Sequence, residues 1–317
     1  MLIKTITELV KYVRISEVSN FDSSFKPFIE ETEQKYILKY LGQDQLDELQ
    51  VYYDAELTNV PALNSLLEYA QRALAKFVLK AAAPFLDLEI SEGGFTVNST
   101  NTAAPASVNR VKNLLAETES QGWDSLELML KYLEQNEDSF PLWAASDAYT
   151  LQRSTLIQSA AEFDQYLTIK ESRLWFFQNK SLMRDVENSE IKTKISTDLY
   201  DTLLSEINAG SVSTANEAIL GNIKRAITHF TYARSLVLNK LDNEKLQYKP
   251  TIDLQAVLEY DKQQIEKMAE FYLNKAINTI LDDLDSYPDY ENSDLYDEDF
   301  ESFENEQENG IFKAGGA

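Results

Sequence analysis

The chain has 317 residues, of which 44% are hydrophobic, and its formal net charge is -24. This length predicts about two domains, each with enough apolar residues for its own core. The absence of cysteine excludes disulfides and cysteine-based zinc sites, and the strong negative charge argues against tight binding of nucleic-acid phosphates, which depends mainly on lysine and arginine.

The sequence shows no signal for secretion or membrane insertion. The N-terminal sequence MLIKTITELVKYVRIS lacks the apolar segment and cleavage site of a signal peptide. No run approaches the ~18 apolar residues of a membrane span. The best stretch, residues 77–86, is interrupted by Lys80 and Pro84. We therefore expect a soluble protein that is made in the cytoplasm and has no membrane partner.

The first half of the chain predicts a series of helices. Thr5 and Glu8 form a capping-box pattern, in which each side chain satisfies a free backbone N–H at the start of a helix. A second helix is predicted over about 26–40. A long helix with an apolar stripe at helical spacing is predicted over about 61–83, and Pro84 ends it.

Residues 86–97 break this helical pattern. Apolar residues, including Ile90, alternate with acidic ones before Gly93–Gly94, and Phe95 continues the alternation after that pair. Alternation on both sides of a glycine turn predicts a β-hairpin. The second half has a short polar connection, residues 239–250, at the matching place, so the hairpin is expected in the first half only.

The second half repeats the plan of the first. TELVKYVRI at residues 7–15 returns as AEFDQYLTI at 161–169, and RALAKF at 72–77 returns as RAITHF at 225–230, at offsets of 154 and 153. Self-similarity of this kind is the signature of a repeated structural unit.

Two further patterns extend the repeat. Ser159 and Glu162 form the same capping-box pattern as the first helix, and a repeated cap is stronger evidence than repeated leucines. Between the matched segments, an alignment at an offset of 158 pairs Ile37, Leu41, Leu46 and Leu49 with Ile195, Leu199, Leu204 and Ile207.

The C-terminal region is strongly acidic. From Asp282 to Ala317 there are 13 acidic residues and one lysine, a density that predicts disorder in isolation. Tyr296, Phe300 and Phe303 have i, i+4, i+7 spacing, which would also suit an amphipathic helix on a partner. A purely solubilising tail is the alternative.

We therefore predict a mainly α fold: two tandem duplicated helical-bundle modules, with a β-hairpin in the first and an acidic C-terminal tail. The predicted boundaries are 1–150 for the first module, with its hairpin at about 86–97, 151–285 for the second, and 286–317 for a tail that is disordered or docked on a partner.

Motifs for chemistry are absent. His229, the only histidine, lies beside the core-facing Phe230, which indicates a structural or surface role rather than a catalytic or metal-binding one. The sequence contains no glycine-rich phosphate loop and no nucleophile elbow. Acidic pairs such as Glu30–Glu31 are typical of a solvated helix face, and acidic runs lack the spacing of a calcium loop. We predict no catalytic residue, cofactor or metal, and do not expect an enzyme.

Protein interfaces are the remaining kind of site. Arg72 and Arg225 occupy matched positions beside the apolar stripes, where each could form either a surface salt bridge or a charged contact to a neighbouring subunit. The candidate interface residues are Arg72, Arg225, Ile90, Phe95, Tyr296, Phe300 and Phe303.

Two segments, FIEETEQKYILKYLGQDQLDEL and LLEYAQRALAKFVLKAAAPFLDLEISEGGFTVNSTN, resemble the head–tail connector (adaptor, neck ring) proteins of tailed bacteriophages, as in Bacteroides-infecting crAss-like phages. The second half, from SAAEFDQYLTI onward, is similar to the same module. The resemblance covers roughly residues 1–285 and rests on pattern and order rather than an invariant motif, so it transfers no functional residue.

The resemblance implies a helical subunit of a ring, commonly twelve-fold, beneath the portal protein of the capsid. Such a ring joins the portal to further neck or tail proteins and helps retain packaged DNA, which passes through the lumen without sequence-specific binding. The protein would then be located in the virion neck. The duplication departs from the usual single-module adaptor.

Two other function classes compete with a structural virion protein. An acidic binding protein could mimic DNA and occupy a basic protein groove, but half of the charge lies in the tail rather than along a folded surface. A helical enzyme is disfavoured by the lack of cysteine, the single histidine and the absence of any motif.

Overall fold

The chain folds into two separate helical units, Met1–Leu151 and Gln152–Ala317. The computed structural model describes residues 1–15, 20–57, 59–86, 88–91, 94–97, 107–241 and 259–296. The sequence predicted a division at about residue 150, and it predicted the mainly α composition, which is confirmed.

The first unit consists of short helices followed by a long helical pair. Its elements are α1 Ile6–Val10, α2 Phe21–Ser24, α3 Lys26–Thr32, a π-helix Glu33–Leu38, α4 Lys39–Leu41, α5 Gln43–Asp54, α6 Pro61–Ala82, a 3-10 turn Ala83–Phe85, strands β1 Leu88–Ser91 and β2 Gly94–Val97, α7 Val108–Gln135, a 3-10 turn Glu137–Ser139, α8 Pro141–Ala144 and α9 Asp147–Gln152.

The start of the first helix is fixed by the predicted capping box, which is confirmed. The Thr5 hydroxyl accepts the Glu8 N–H, and the Glu8 carboxylate accepts the N–H groups of Thr5 and Lys4 at 2.9 and 2.7 Å. These bonds satisfy donors that the first helical turn leaves free.

Part of the core of the first unit lies between α6 and α7, which run antiparallel. The Phe77 ring stacks on Tyr36 with centroids 4.0 Å apart and meets Trp123 edge-on at 5.0 Å. Gly122 on α7 allows this approach, because a Cβ there would lie 2.8 Å from the Phe77 ring. Aromatic pairs of this geometry add to the stabilisation from burial alone.

In the region predicted as a hairpin, β1 and β2 pair antiparallel, with Leu88 opposite Val97 and Ile90 opposite Phe95. Gly94, predicted to lie in the turn, is instead the first residue of β2, opposite Ser91. The predicted turn residue Gly93 lies outside the described residues, as does most of the matching connection in the second unit.

The second unit repeats this order of elements without described strands. It comprises α10 Ala160–Asp164, α11 Arg173–Gln178, α12 Lys180–Val186, a π-helix Glu187–Ile191, α13 Lys192–Ile195, α14 Thr197–Ala209, α15 Thr214–Leu241, α16 Glu259–Asp282, a 3-10 turn Leu284–Ser286 and α17 Pro288–Glu291.

The cap of α10 matches the cap of α1 in part. The Ser159 hydroxyl accepts the Glu162 N–H at 3.1 Å, as predicted. The Glu162 carboxylate accepts the N–H of Gln158, at 2.9 Å, which corresponds to the bond from Lys4 in the first unit.

The alignment of the two halves at an offset of 158 was wrong. Gly42 and Ser196, 154 positions apart, have nearly the same unusual backbone, with φ of 78° and 74°, and each directly precedes a helix. The offset therefore stays at 154 here, so that Leu49 corresponds to Leu203. Repeated leucines permitted a false register because α14 has apolar residues on adjacent positions.

The predicted start of the acidic tail at residue 286 was also wrong. Tyr287 and Tyr290 are 2% and 6% exposed within the core of the second unit, and Tyr296 packs against the same core. The Ser-Tyr-Pro sequence ending at Pro288 corresponds to the Ser-Phe-Pro sequence ending at Pro141 of the first unit. Aromatic burial outweighs the acidic composition and extends the folded unit to residue 296.

We expect Gly42→Ala to lower the free energy of unfolding by about 2–4 kcal/mol, because an L side chain is strained at this φ. The new Cβ would also lie 2.7 Å from the Ser146 Cβ. Urea unfolding followed by tryptophan fluorescence measures the effect.

Gly210→Ala is the matched control. Gly210 has a φ of +68°, but a Cβ there meets nothing within 4 Å. The expected cost is about 1 kcal/mol, from the backbone alone. Equal losses in the two variants would show that the contact with Ser146 has no energetic role.

Candidate interaction surfaces

Arg72, the first of the predicted interface residues, lies on α6 and is engaged within its own helix. Its guanidinium forms an ion pair with Glu68 at 2.7 Å, and it lies 5.8 Å from the centroid of the Tyr69 ring. Both charged side chains are partly exposed, so the ion pair contributes at most ~1 kcal/mol. A contact from Arg72 to another subunit stays a prediction.

Arg225, at the matched position on α15, is exposed and stacks on α16 instead. Its guanidinium carbon lies 5.4 Å from the centroid of the Tyr272 ring. The His229 Nδ1–H donates to the Arg225 carbonyl at 2.7 Å, and burial lowers the pKa of the His229 imidazole. These contacts account for His229 as a packed structural side chain, as the sequence predicted.

The remaining predicted interface residues lie in the hairpin and in the acidic tail. Ile90 and Phe95 are opposite each other across β1 and β2. Tyr296 is partly buried against the core of its own unit, and its docking role stays a prediction. Phe300 and Phe303 lie outside the described residues, so their docking role stays a prediction.

Each unit contains a buried glutamate that the sequence did not reveal as special. Glu33 and Glu187, 154 positions apart, each begin a π-helix and are 2% and 1% exposed. Glu33 accepts the Leu2 N–H at 2.7 Å, and Glu187 accepts the Leu156 N–H at 2.9 Å. In both units the matching glutamate therefore holds the N-terminal segment in place. The sequence signal that could have identified the pair is their spacing of 154 residues, the offset of the repeat.

The two carboxylates differ in their second partner. Glu33 accepts a hydrogen bond from Gln50 at 2.6 Å, whereas Glu187 accepts one from the Tyr200 hydroxyl at 2.8 Å. Burial raises the pKa of both carboxyls, for Glu187 to about 7. Desolvation therefore exceeds the stabilisation of the charged form by these hydrogen bonds.

The second unit also buries a lysine. Lys180 is fully buried, donates to the Thr155 hydroxyl and, at 2.7 Å, to the Ile157 carbonyl, and lies 4.5 Å from the Phe176 ring centroid. Burial lowers the pKa of its ammonium to about 7. Lys26, at the matching position of the first unit, is exposed and pairs with Asp22.

Perturbed acids and bases in a cleft would suggest catalysis. Here Lys180 and Glu187 are instead sealed in a packed core, where they hold the segment around Leu156 in place. Within the described part of the chain, no three potential metal ligands come together. A polar cleft of about 340 Å³ beside Ser196 and Asp294 lies at the C-terminal end of the second unit.

A strongly exposed apolar surface of the first unit lies at the start of α7. Val108, Val111 and Leu114 are 82%, 41% and 60% exposed. Arg110 and Lys112, interleaved with them, are exposed as well. We call residues 108–115 the α7 extension. Apolar side chains rimmed by charge are typical of a protein interaction surface.

Within the described residues, no helix combines the length and the apolar character that a membrane crossing requires.

We expect Glu187→Ala to lower the free energy of unfolding of the second unit by about 2–4 kcal/mol, since it leaves the Leu156 N–H and the Tyr200 hydroxyl buried without an acceptor. Glu187→Gln, which keeps the shape and one acceptor, should cost less. Urea unfolding monitored by circular dichroism compares the two. An Ala variant as stable as the Gln variant would contradict this role.

Glu187 should also make stability depend on pH. Its folded pKa is about 7, above the unfolded value of 4.5, so its favourable contribution is present below pH 4.5 and is lost as pH rises to 7. The advantage of wild type over Glu187→Gln should therefore shrink between these pH values. The lowered pKa of Lys180 acts above pH 7, which keeps its effect out of this window. A difference that stays constant or grows with pH would contradict the assignment.

Comparison with known proteins identifies the family. The model of a family of unknown function (DUF6712) matches the chain twice, over residues 34–153 and 191–299. The first match lies almost wholly in the first unit and the second lies within the second, as a duplicated module requires. No curated protein and no solved structure matches the chain. Because the two matched ranges cover more than half of its length, the chain belongs to the DUF6712 family.

Proposed function

We propose that the protein is a structural virion protein: a subunit of a head–tail connector ring that lies beneath the portal, joins capsid to tail and helps retain DNA. The observation that carries this proposal is the α7 extension. Its apolar side chains are exposed to water, and binding a protein partner would bury them. The perturbed ionisable pair, by contrast, is sealed in a core.

The architecture supports an assembly subunit in a further way. Two units in tandem present different surfaces, because only the first has described strands and a proline that ends the first helix of its long pair. Contacts between unlike surfaces are heterologous, and they close into a ring when the rotation between subunits allows. The proposed partners are copies of the chain itself in a twelve-fold ring, the portal protein, and further neck or tail proteins.

The charge suits a channel for DNA. A net charge of -24 repels phosphates, so DNA would pass through the ring lumen without sticking or sequence-specific binding. In this proposal the protein is made in the host cytoplasm, ends in the virion neck, has no membrane partner and catalyses no reaction. Strands β1 and β2 would supply a further contact to a neighbouring subunit or ring through Ile90 and Phe95.

The same charge favours a second candidate, an acidic DNA mimic or binding protein that occupies a basic protein groove. A mimic requires acidic rows on a folded surface. The folded second unit extends to residue 296 and so includes acidic residues such as Asp289 and Asp294. Salt-sensitive competition with DNA for a basic protein would favour this candidate.

Negative-stain microscopy and mass photometry of the purified protein, alone and mixed with portal protein or phage necks, test the connector. Closed rings, or decoration of the portal end, are expected. A chain that neither forms rings nor binds the portal would contradict the connector and leave the acidic binding protein as the better explanation. Bovine serum albumin, also acidic, controls for nonspecific decoration.

A further inference from the structure

The α7 extension exists because α6 stops early. Pro84 lies two residues after Ala82, the last residue of α6, and proline cannot continue a helix. In the antiparallel pair, Lys80 near the end of α6 forms an ion pair with Glu119. The α7 residues before about 115 therefore lie beyond the last α6 turn and have no helix of that pair beside them.

The exposed side chains belong to the same stripe that forms the core. Going back along α7 in steps of three or four residues, the buried Leu126, Gly122 and Thr118 are followed by the half-buried Leu115 and then by the exposed Val111 and Val108. Positions with this spacing share one face of a helix. The face of α7 that packs on α6 thus continues beyond the end of α6 with exposed apolar side chains, which a second partner could cover.

The second unit handles the matching region differently. Val237 stands where the repeat offset of 153 places Pro84, and α15 continues past it to Leu241. Its partner α16 is described from Glu259 onward. The proline that ends α6 is therefore absent from the matching helix of the second unit.

Charge distinguishes this surface from the rest of an acidic chain. Arg110 and Lys112 are exposed, and neither forms an ion pair with another described residue. Arg72 and Lys80 on the neighbouring α6, in contrast, pair with Glu68 and Glu119. The α7 extension therefore combines apolar side chains with unneutralised positive charge, which selects an acidic partner with large apolar side chains.

The chain itself contains a segment of that chemistry. Residues 297–317 include seven acidic residues and one lysine, with aromatic side chains at Phe300, Phe303 and Phe312. The segment follows directly on Tyr296, which is packed against the second unit. Extended, its 21 residues reach up to about 70 Å from that point.

We propose that the α7 extension of one copy binds the acidic, aromatic segment 297–317 of another copy. The aromatic side chains would cover Val108, Val111 and Leu114, and the carboxylates would neutralise Arg110 and Lys112. Because the two surfaces belong to different units of the chain, the contact is heterologous and propagates from copy to copy. This inference rests on the proposed connector function and names the contact that would hold the ring together.

Two full-length variants test the contact. The extension variant carries Arg110→Glu and Lys112→Glu, and the tail variant carries Phe300→Ala and Phe303→Ala. Sedimentation velocity and mass photometry should show wild type in complexes larger than a dimer. Either variant alone should associate at least about tenfold more weakly. Raised salt should weaken wild-type association, because exposed charges are screened.

Mixing the variants gives the sharpest result. The extension variant keeps a functional tail and the tail variant keeps a functional α7 extension, so an equimolar mixture should form complexes of one copy of each and stop there. Lys11→Glu with Lys131→Glu is the control, since both residues are exposed and the charge change is the same. This control should assemble as wild type does.

Three results would overturn the contact: a wild type that stays monomeric, variants that assemble like wild type, or a mixture that stays monomeric. Binding to the portal protein is measured separately from self-association. Rings on the portal formed by both variants would overturn the tail contact and leave the connector function standing. Pairing of the two variants without any binding of wild type to the portal would establish the contact and contradict the connector.

Discussion

Each unit is organised around a carboxylate that is removed from water. Glu33 and Glu187 begin matching π-helices and accept backbone N–H groups from Leu2 and Leu156. A buried acid is costly unless its hydrogen bonds are satisfied, so its presence restricts how the N-terminal segment can lie. The first capped helix and the long helical pair pack around this segment. This constraint recurs in both units, although their second hydrogen-bond donors, Gln50 and Tyr200, differ.

Each unit is closed at its C-terminal end by buried aromatic residues on both sides of a proline. In the first unit, the Trp143 indole N–H donates to the Tyr40 carbonyl at 3.1 Å. In the second, the Tyr287 hydroxyl donates to the Ala215 carbonyl at 2.7 Å. Burying these rings folds a stretch whose acidic composition alone would favour solvation. The same closure sets the point, after Tyr296, from which the remaining acidic segment emerges.

The functional proposals depend on how the two units differ. Pro84 shortens α6 and leaves the α7 extension exposed, while the second unit continues α15 through the matching position. Lys180 is buried in the second unit, where the first has the exposed Lys26. When two copies of a module diverge on their surfaces, the chain presents two different surfaces. A head-to-tail assembly joins such different surfaces of neighbouring subunits. The exposed α7 extension concerns association with other chains. The burial of Lys180 concerns the stability of the second unit and its pH dependence.

The sequence by itself determined the helical class, the duplication and the first capping box, because these follow from local spacing and from side chains within one turn of each other. Tertiary structure alone decided the register of the repeat, the burial of Glu33, Glu187 and Lys180, and the true end of the second unit. Each of these depends on which distant residue removes a side chain from water. A glutamate on a solvated helix face and a glutamate in a core have the same local sequence pattern, and only packing distinguishes them. For the same reason the local pattern of α7 does not determine that residues 108–114 are exposed; the point at which α6 ends beside them does.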